Sequence, residues 1–479
     1  MTADIDKGLG LEEPHELKRV LGPWSLIALG VGATIGAGIF VITGTAAAQH
    51  AGPAVLLSFV FAAFGCLFAG LCYAELAAMI PQSGSAYTYA YATFGRFAAW
   101  IIGWDLVLEY GVAAGAVAVG WGGYFQAFMA NIGMPLPIPD AFMNAPIAQG
   151  PDGGIVLTGA VMNLPAIGIV GFLALLLILG IRESSGFNSL LVLLKVVIVV
   201  MVIVFGLPLI HTENLTPFVP PNTGEFGKFG WSGVLQAAGL IFFSYIGFDT
   251  VSVAAQETRN PQRNLPIGIL GSLAICTVLY ILMALTMIGL SHYSTLDVAN
   301  PVTVAIQDAG PKLAWLEPWV NLGALIGTST VILVSLYGQS RLLWAMSRDG
   351  MLPPIFATVA PRSRTPVFGT LITFAFGAFL GGVFPISILG ELVSIGTLLA
   401  FVLVCIGVIV LRATRPDVPR PFRTPWSPIV PLLGIAFCGA MMYALPGDTW
   451  IRLAVWFFVG LVIFALYGVR HAKKPVFEL

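Results

Sequence analysis

The chain has 479 residues, 58% of them hydrophobic and 9% charged, with a formal net charge of −1. A soluble domain carries about 25% charged residues, so this composition excludes a water-covered globular surface and points to a polytopic membrane protein. The near-neutral balance offers no basic surface for a nucleic-acid partner.

A transmembrane helix needs about 20 mostly apolar residues. Twelve runs qualify, at 22–48, 53–80, 95–128, 164–181, 187–210, 232–255, 265–290, 317–345, 366–384, 388–411, 428–446 and 450–468. They are called runs one to twelve below. Residues 11–20, L-E-E-P-H-E-L-K-R-V, are polar, and run one is too long for a signal h-region, so it is expected to stay as a span. Run one carries A-L-G-V-G-A-T-I-G-A-G-I-F at 28–40, with Gly30, Gly32, Gly36 and Gly38 at its middle. Each helical glycine costs roughly 1 kcal/mol relative to alanine. Close helix packing through Gly32-x-x-x-Gly36 is one reason to keep them. A deliberate break is the other.

Run two ends in Glu75, expected to serve as a gate or as a packing partner for nearby loops. Run three is over-long, which predicts tilt or extension past the bilayer. It holds Asp105 and Glu109, four apart on one helical face. A structurally satisfied acid is the expectation for Asp105. The connection 129–163, with P-L-P-I-P and G-P-D-G-G, reads as an ordered loop with turns. Run five contains Lys195 among aliphatic neighbours, where an ionisable group marks function by default. Snorkelling to an interface is its bland role, but apolar residues extend in both directions. It can load and release a proton, or stand as a fixed cation.

Run six carries F-F-S-Y-I-G-F-D at 242–249, a second glycine interruption, with Asp249 beside it. In run eight, Ser335 either bonds back to its own helix or faces a pocket and leaves room there. Glu391 opens run ten and is expected to be solvated. The five cysteines lie in apolar runs without metal-like spacing and read as small buried hydrophobes. The five histidines fall at run ends or in loops, which argues against a histidine proton relay.

With the N-terminus inside, 18 Lys and Arg fall in inner segments, 3 in outer segments and 1 (Lys195) within a run. This bias predicts cytoplasmic termini on both ends of a multi-pass protein in the inner (plasma) membrane. Runs one and six hold corresponding places if the chain is two repeats of five spans plus two extra. An odd repeat inverts the second half. Paired glycine-interrupted spans in inverted halves point to a transporter binding site. Unwound backbone is tolerated in a membrane where it lines a cavity. The half-helix after Gly36 aims N–H groups and a positive dipole end into that cavity, suiting a carboxylate. The carbonyls ending the preceding half suit an ammonium, so one break serves a zwitterionic amino acid.

Seven motifs then carry a resemblance: G-A-T-I-G-A-G-I-F at 32–40, C-Y-A-E-L at 72–76, S-G-S-A-Y-T-Y at 83–89, G-W-D-L-V-L-E-Y at 103–110, F-F-S-Y-I-G-F-D at 242–249, E-T-R-N-P-Q-R-N-L-P at 257–266 and M-S-R-D-G-M-L-P at 346–353. The chain resembles the amino acid–polyamine–organocation superfamily from about residue 15 to 470. Within it, the bacterial relatives of the cationic amino acid transporters match best. The resemblance implies an all-α integral membrane protein of twelve transmembrane helices in a single domain 1–479. Repeat one would span about 22–210, repeat two about 232–411, and the extra helices about 428–468.

It implies proton-coupled uptake of amino acids, cationic (Arg, Lys or ornithine) or small neutral. The substrate carboxylate is expected on the N–H groups of Gly36, Ala37 and Gly38. The ammonium is expected on carbonyls near Thr34 and Ile35 and on those of Phe243, Ser244 and Ile246. Several relatives carry a hydroxyl where this chain has Ala37, which removes side-chain help there. Glu109 and Asp249 are placed near the substrate side chain, and Ser335 on a pocket wall. Lys195 is placed beside the run-one break, where sodium sits in sodium-driven relatives.

A sodium-coupled transporter or an amino acid/polyamine exchanger of the same fold is the competing reading. An integral-membrane enzyme would need clustered His, Asp or Cys, and H-E-x-x-H and G-x-x-x-x-G-K-[ST] are absent from the sequence. The expected partners are an amino acid, protons and membrane lipid, with no cofactor, no metal and no nucleic acid.

Overall fold

Backbone N–H and C=O groups find no water in hydrocarbon, so an apolar run of membrane length folds as a helix. A computed structural model describes residues 21–79, 85–134, 136–150, 154–180, 185–361, 363 and 365–472. Ser83 and Gly84 of the third motif lie outside the described residues. So do His15 and the inner-segment cations Lys7, Lys18, Arg19, Arg182, Arg362, Arg364, Lys473 and Lys474. The described parts of the apolar runs are largely helical. Among the described residues, eight helices are long and apolar enough to cross a membrane, and four shorter apolar ones (Pro23–Thr34, Leu164–Ile178, Val367–Val383 and Ile429–Ala444) join them. Exposed Phe172, Leu190, Leu193 and Phe458 clothe the outside in hydrocarbon, which suits lipid and not water. The protein is a multi-pass, all-α membrane protein.

The helix of run three, Arg96–Asn131, has 36 residues and so is roughly 54 Å long. That exceeds the ~30 Å hydrocarbon layer, as its sequence length predicts. It is the central post, packed by runs four, eight, nine and ten. The 129–163 connection contains a short 3₁₀ turn, Asp140–Phe142, and an antiparallel hairpin pairing Ile147 with Leu157 and Gln149 with Ile155. Asn163 closes it by accepting the N–H of Ala166 at 3.1 Å, capping the next helix.

Runs one and six are both broken. Helix Pro23–Thr34 ends at Ile35, whose backbone is extended, and a wide π-type turn restarts the helix at Gly38. Helix Gly230–Ile241 tightens to a 3₁₀ turn over Phe242–Tyr245. The chain then passes through extended Ile246 and Gly247 (φ 120°) into a second 3₁₀ segment, Phe248–Glu257.

Two acids outside the breaks are structural. Glu75 is buried and accepts both Arg412 Nε (3.0 Å) and Nη2 (2.6 Å), plus the backbone N–H of Thr424 (2.7 Å), with Arg420 at 3.5 Å. It fastens the 415–424 loop onto run two, the loop-packing role its position suggests. Glu391 is not solvated. It is buried, accepts a hydrogen bond from Thr449 at 2.7 Å and lies 3.8 Å from Arg452. Run twelve packs across the mouth of run ten and covers it, a tertiary contact that the local sequence does not announce.

Candidate functional site

The two breaks meet. A Cβ on Gly38 would stand 2.3 Å from the Ser244 Cα, and one on Gly247 would stand 2.7 Å from the Ala33 carbonyl oxygen. Contacts this close need glycine, and Gly247 needs it again for its positive φ. The other glycines of run one admit different neighbours: Gly30 faces Ser272, Gly32 faces Val192 and Gly36 faces Val331. Both sequence-based reasons for the glycines therefore hold at once. The packing serves the break.

The cavity between the breaks is lined by Thr34, Gly36, Ala37, Gly38, Phe243, Ile246, Glu109, Asp249 and Ser335 among the expected residues. Tyr110, Ala113, Val117, Val331 and Val334 complete a mostly apolar wall. Its free volume is about 40 Å³, space for a few waters. Ile35 and Ser244 do not line it. The Ile35 carbonyl turns away to Lys195, and the Ser244 side chain is buried at the seam with Gly38. Thr34 bonds back to the Gly30 carbonyl at 2.7 Å, closing the last turn before the break.

Lys195 is fully buried at the back of the break. Its ammonium donates to the carbonyls of Gly32 and Ile35 (the latter at 3.0 Å) and to Thr330 Oγ1 at 3.4 Å. It satisfies carbonyls that a continuous helix would have paired, and it brings a positive charge to the negative dipole end of Pro23–Thr34. Run five thus supplies the cation that run one needs, and snorkelling is excluded.

Glu109 is buried beside Thr397 of run ten, whose hydroxyl donates to the Val393 carbonyl at 3.0 Å, and beside Asp249 on the cavity wall. Asp105 departs from expectation. It is fully buried, and neither carboxyl oxygen has a hydrogen-bond partner among the described residues. The sequence reading also missed Tyr280, whose hydroxyl donates to the Thr34 carbonyl at 2.8 Å. The available signal was a tyrosine amid an apolar run, since a buried hydroxyl requires a partner. Thr330 and Thr397 gave no such signal.

The arrangement offers helix-start N–H groups, break carbonyls, two acids and a short apolar wall around one small cavity. Such groups can pair with a carboxylate and an ammonium. The family described as "Amino acid permease" matches residues 21–468. The chain is 45% identical to the branched-chain amino acid permease BcaP of Bacillus subtilis (strain 168), over 95% of this chain and 94% of that one. It is 43% identical to the methylthioribose transporter of the same organism, over 95% of each. Against the vacuolar cationic amino acid transporter 4 of Arabidopsis thaliana it is 38% identical, over 84% of this chain and 65% of that one. The chain belongs to the amino acid permease family, within the amino acid–polyamine–organocation superfamily.

Proposed function

We propose that the chain is a proton-coupled L-amino acid importer of the inner membrane, with inverted repeats at about 22–210 and 232–411 and extra helices at about 428–468. The observation that carries this reading is the pair of breaks meeting at one cavity, with Lys195 bonded to the carbonyls of run one. The substrate carboxylate sits on the N–H groups of Gly36, Ala37 and Gly38, the first of a helix and so lacking intrahelical partners. The ammonium takes carbonyls near Thr34 and those of run six.

The side chain lies among Ala113, Val117, Val331 and Val334, beside Ser335. That wall and the small free volume support a compact neutral side chain, in keeping with a branched-chain amino acid permease among the relatives. A second reading, a cationic side chain, is favoured by Glu109 and Asp249 on the same wall and by the plant cationic amino acid transporters among the relatives.

Lys195 is the coupling group. Its charge occupies the place a sodium ion would need, and like charges at that spacing repel. The test is uptake of labelled valine, alanine and arginine into proteoliposomes. Uptake should rise with an inward proton gradient and ignore sodium. Dependence on sodium, with no response to protons, would sink the coupling reading.

A further inference from the structure

Asp105 lies one helical turn before Glu109 in run three, on the same face. Both acids face successive residues of run ten. The Asp105 Oδ1 lies against Gly396, where a Cβ would come within 2.9 Å of it, and Glu109 lies beside Thr397. Among the described residues no ion pair includes Asp105, and the acid beside it on run three is Glu109. Of the other ionisable groups near run three, Tyr110 lines the cavity with Glu109 and Asp249. Glu391 holds Thr449, and the Tyr87 hydroxyl donates to Asp349 at 2.7 Å.

An ionised carboxylate in a dry site, with no hydrogen bond and no counter-charge, costs several kcal/mol. A buried group so placed neutralises instead. The two neighbouring carboxyls also disfavour a shared double charge. One proton can therefore reside on either acid, at a cost that shifts when substrate or the Asp249 wall changes the field at Glu109.

We propose that the Asp105 carboxyl is a proton-holding site that exchanges its proton with Glu109 across one turn of run three. The proton leaves an Asp105 oxygen, directly or through one water, for a Glu109 carboxylate oxygen. Asp105 is left as the carboxylate until Glu109 returns the proton. This deepens the coupling reading above and rests on it. It adds a carboxyl site to the Lys195 ammonium.

The test compares wild type with Asp105→Asn, an isosteric change, in proteoliposomes loaded with labelled valine or alanine. Three readouts are taken: the infrared C=O stretch of protonated carboxyls at neutral pH, exchange without a gradient, and uptake under an inward proton gradient. The variant should lose one protonated-carboxyl band, keep exchange within about twofold (~0.4 kcal/mol), and lose most of the gradient-driven accumulation. An unchanged band, or unchanged accumulation, overturns the proposal. So does failure of the variant to insert, because exchanging an unpartnered neutral carboxyl for its amide removes no bond. If wild type exchanges substrate but ignores the proton gradient, the coupling reading itself falls and the transport role of Asp105 with it. Loss of the effect in the variant alone is thus separable from that case.

Discussion

Lys195 is fully buried, and its three bonds are all to groups of runs one and eight. Lys195→Met keeps the length of the side chain and removes every donor. Two carbonyls lose a partner, at roughly 1–3 kcal/mol each, so the melting temperature in detergent should drop. Gradient-driven accumulation in proteoliposomes should vanish. Accumulation that survives would reduce Lys195 to a brace for the break. Ser335 tests the pocket from the opposite side. Ser335→Met pushes a longer side chain into a cavity of about 40 Å³, leaving both backbone poles intact. Binding of arginine or lysine should fall more than binding of alanine. Equal losses would remove Ser335 from the pocket wall. Gly38→Val is the less informative change: its side chain collides with the Ser244 backbone, so lost binding and lost packing arrive together.

At the level of elements, the Glu75 cluster sets how the 415–424 loop is held. Glu75 and Arg420 are nearly sealed from water (side chains 2% and 5% exposed). Removing one side of a buried pair strands the other, typically at 3–5 kcal/mol. Glu75→Ala should therefore lower the melting temperature markedly, whereas Asp417→Ala, on an exposed stretch of the same loop, should not. A similar shift for both would mean the loop is not fastened through Glu75.

The contrast between elements also shows what a sequence makes legible. Runs one and six could be read because glycine in a long apolar run is locally costly, and a local anomaly leaves a local mark. Lys195, Glu109 and Asp249 stood out because charge in hydrocarbon is rare. Glu391 was misread because its cover comes from run twelve, some 60 residues away. Asp105 was misread because an absent partner leaves no trace in composition. Tyr280 and Thr397 act through distances that close only in three dimensions.

For the whole molecule, the positive charges predict orientation independently of the site. A cysteine at Lys312, exposed between runs seven and eight, should react with an impermeant thiol reagent added outside intact cells. A cysteine at Asp417, exposed between runs ten and eleven, should react only after permeabilisation. The five native cysteines are buried and should stay silent in both cases. The reverse pattern would invert the topology, and the direction of transport with it.

The two broken helices are fastened to each other at three heights. Near one end, the Leu21 N–H donates to the Glu257 carbonyl at 3.0 Å and the Arg259 N–H to the Leu21 carbonyl at 2.9 Å. At the middle, Gly38 and Gly247 bring the backbones into contact. Near the other end, His50 Nδ1 lies 2.9 Å from the Gly227 carbonyl, and the Phe229 N–H donates to the His50 carbonyl at 2.8 Å. Parts meshed in this way resemble a pair of cogs: a shift of one broken helix along the other has to break backbone bonds at both ends and unseat the glycine contact between them.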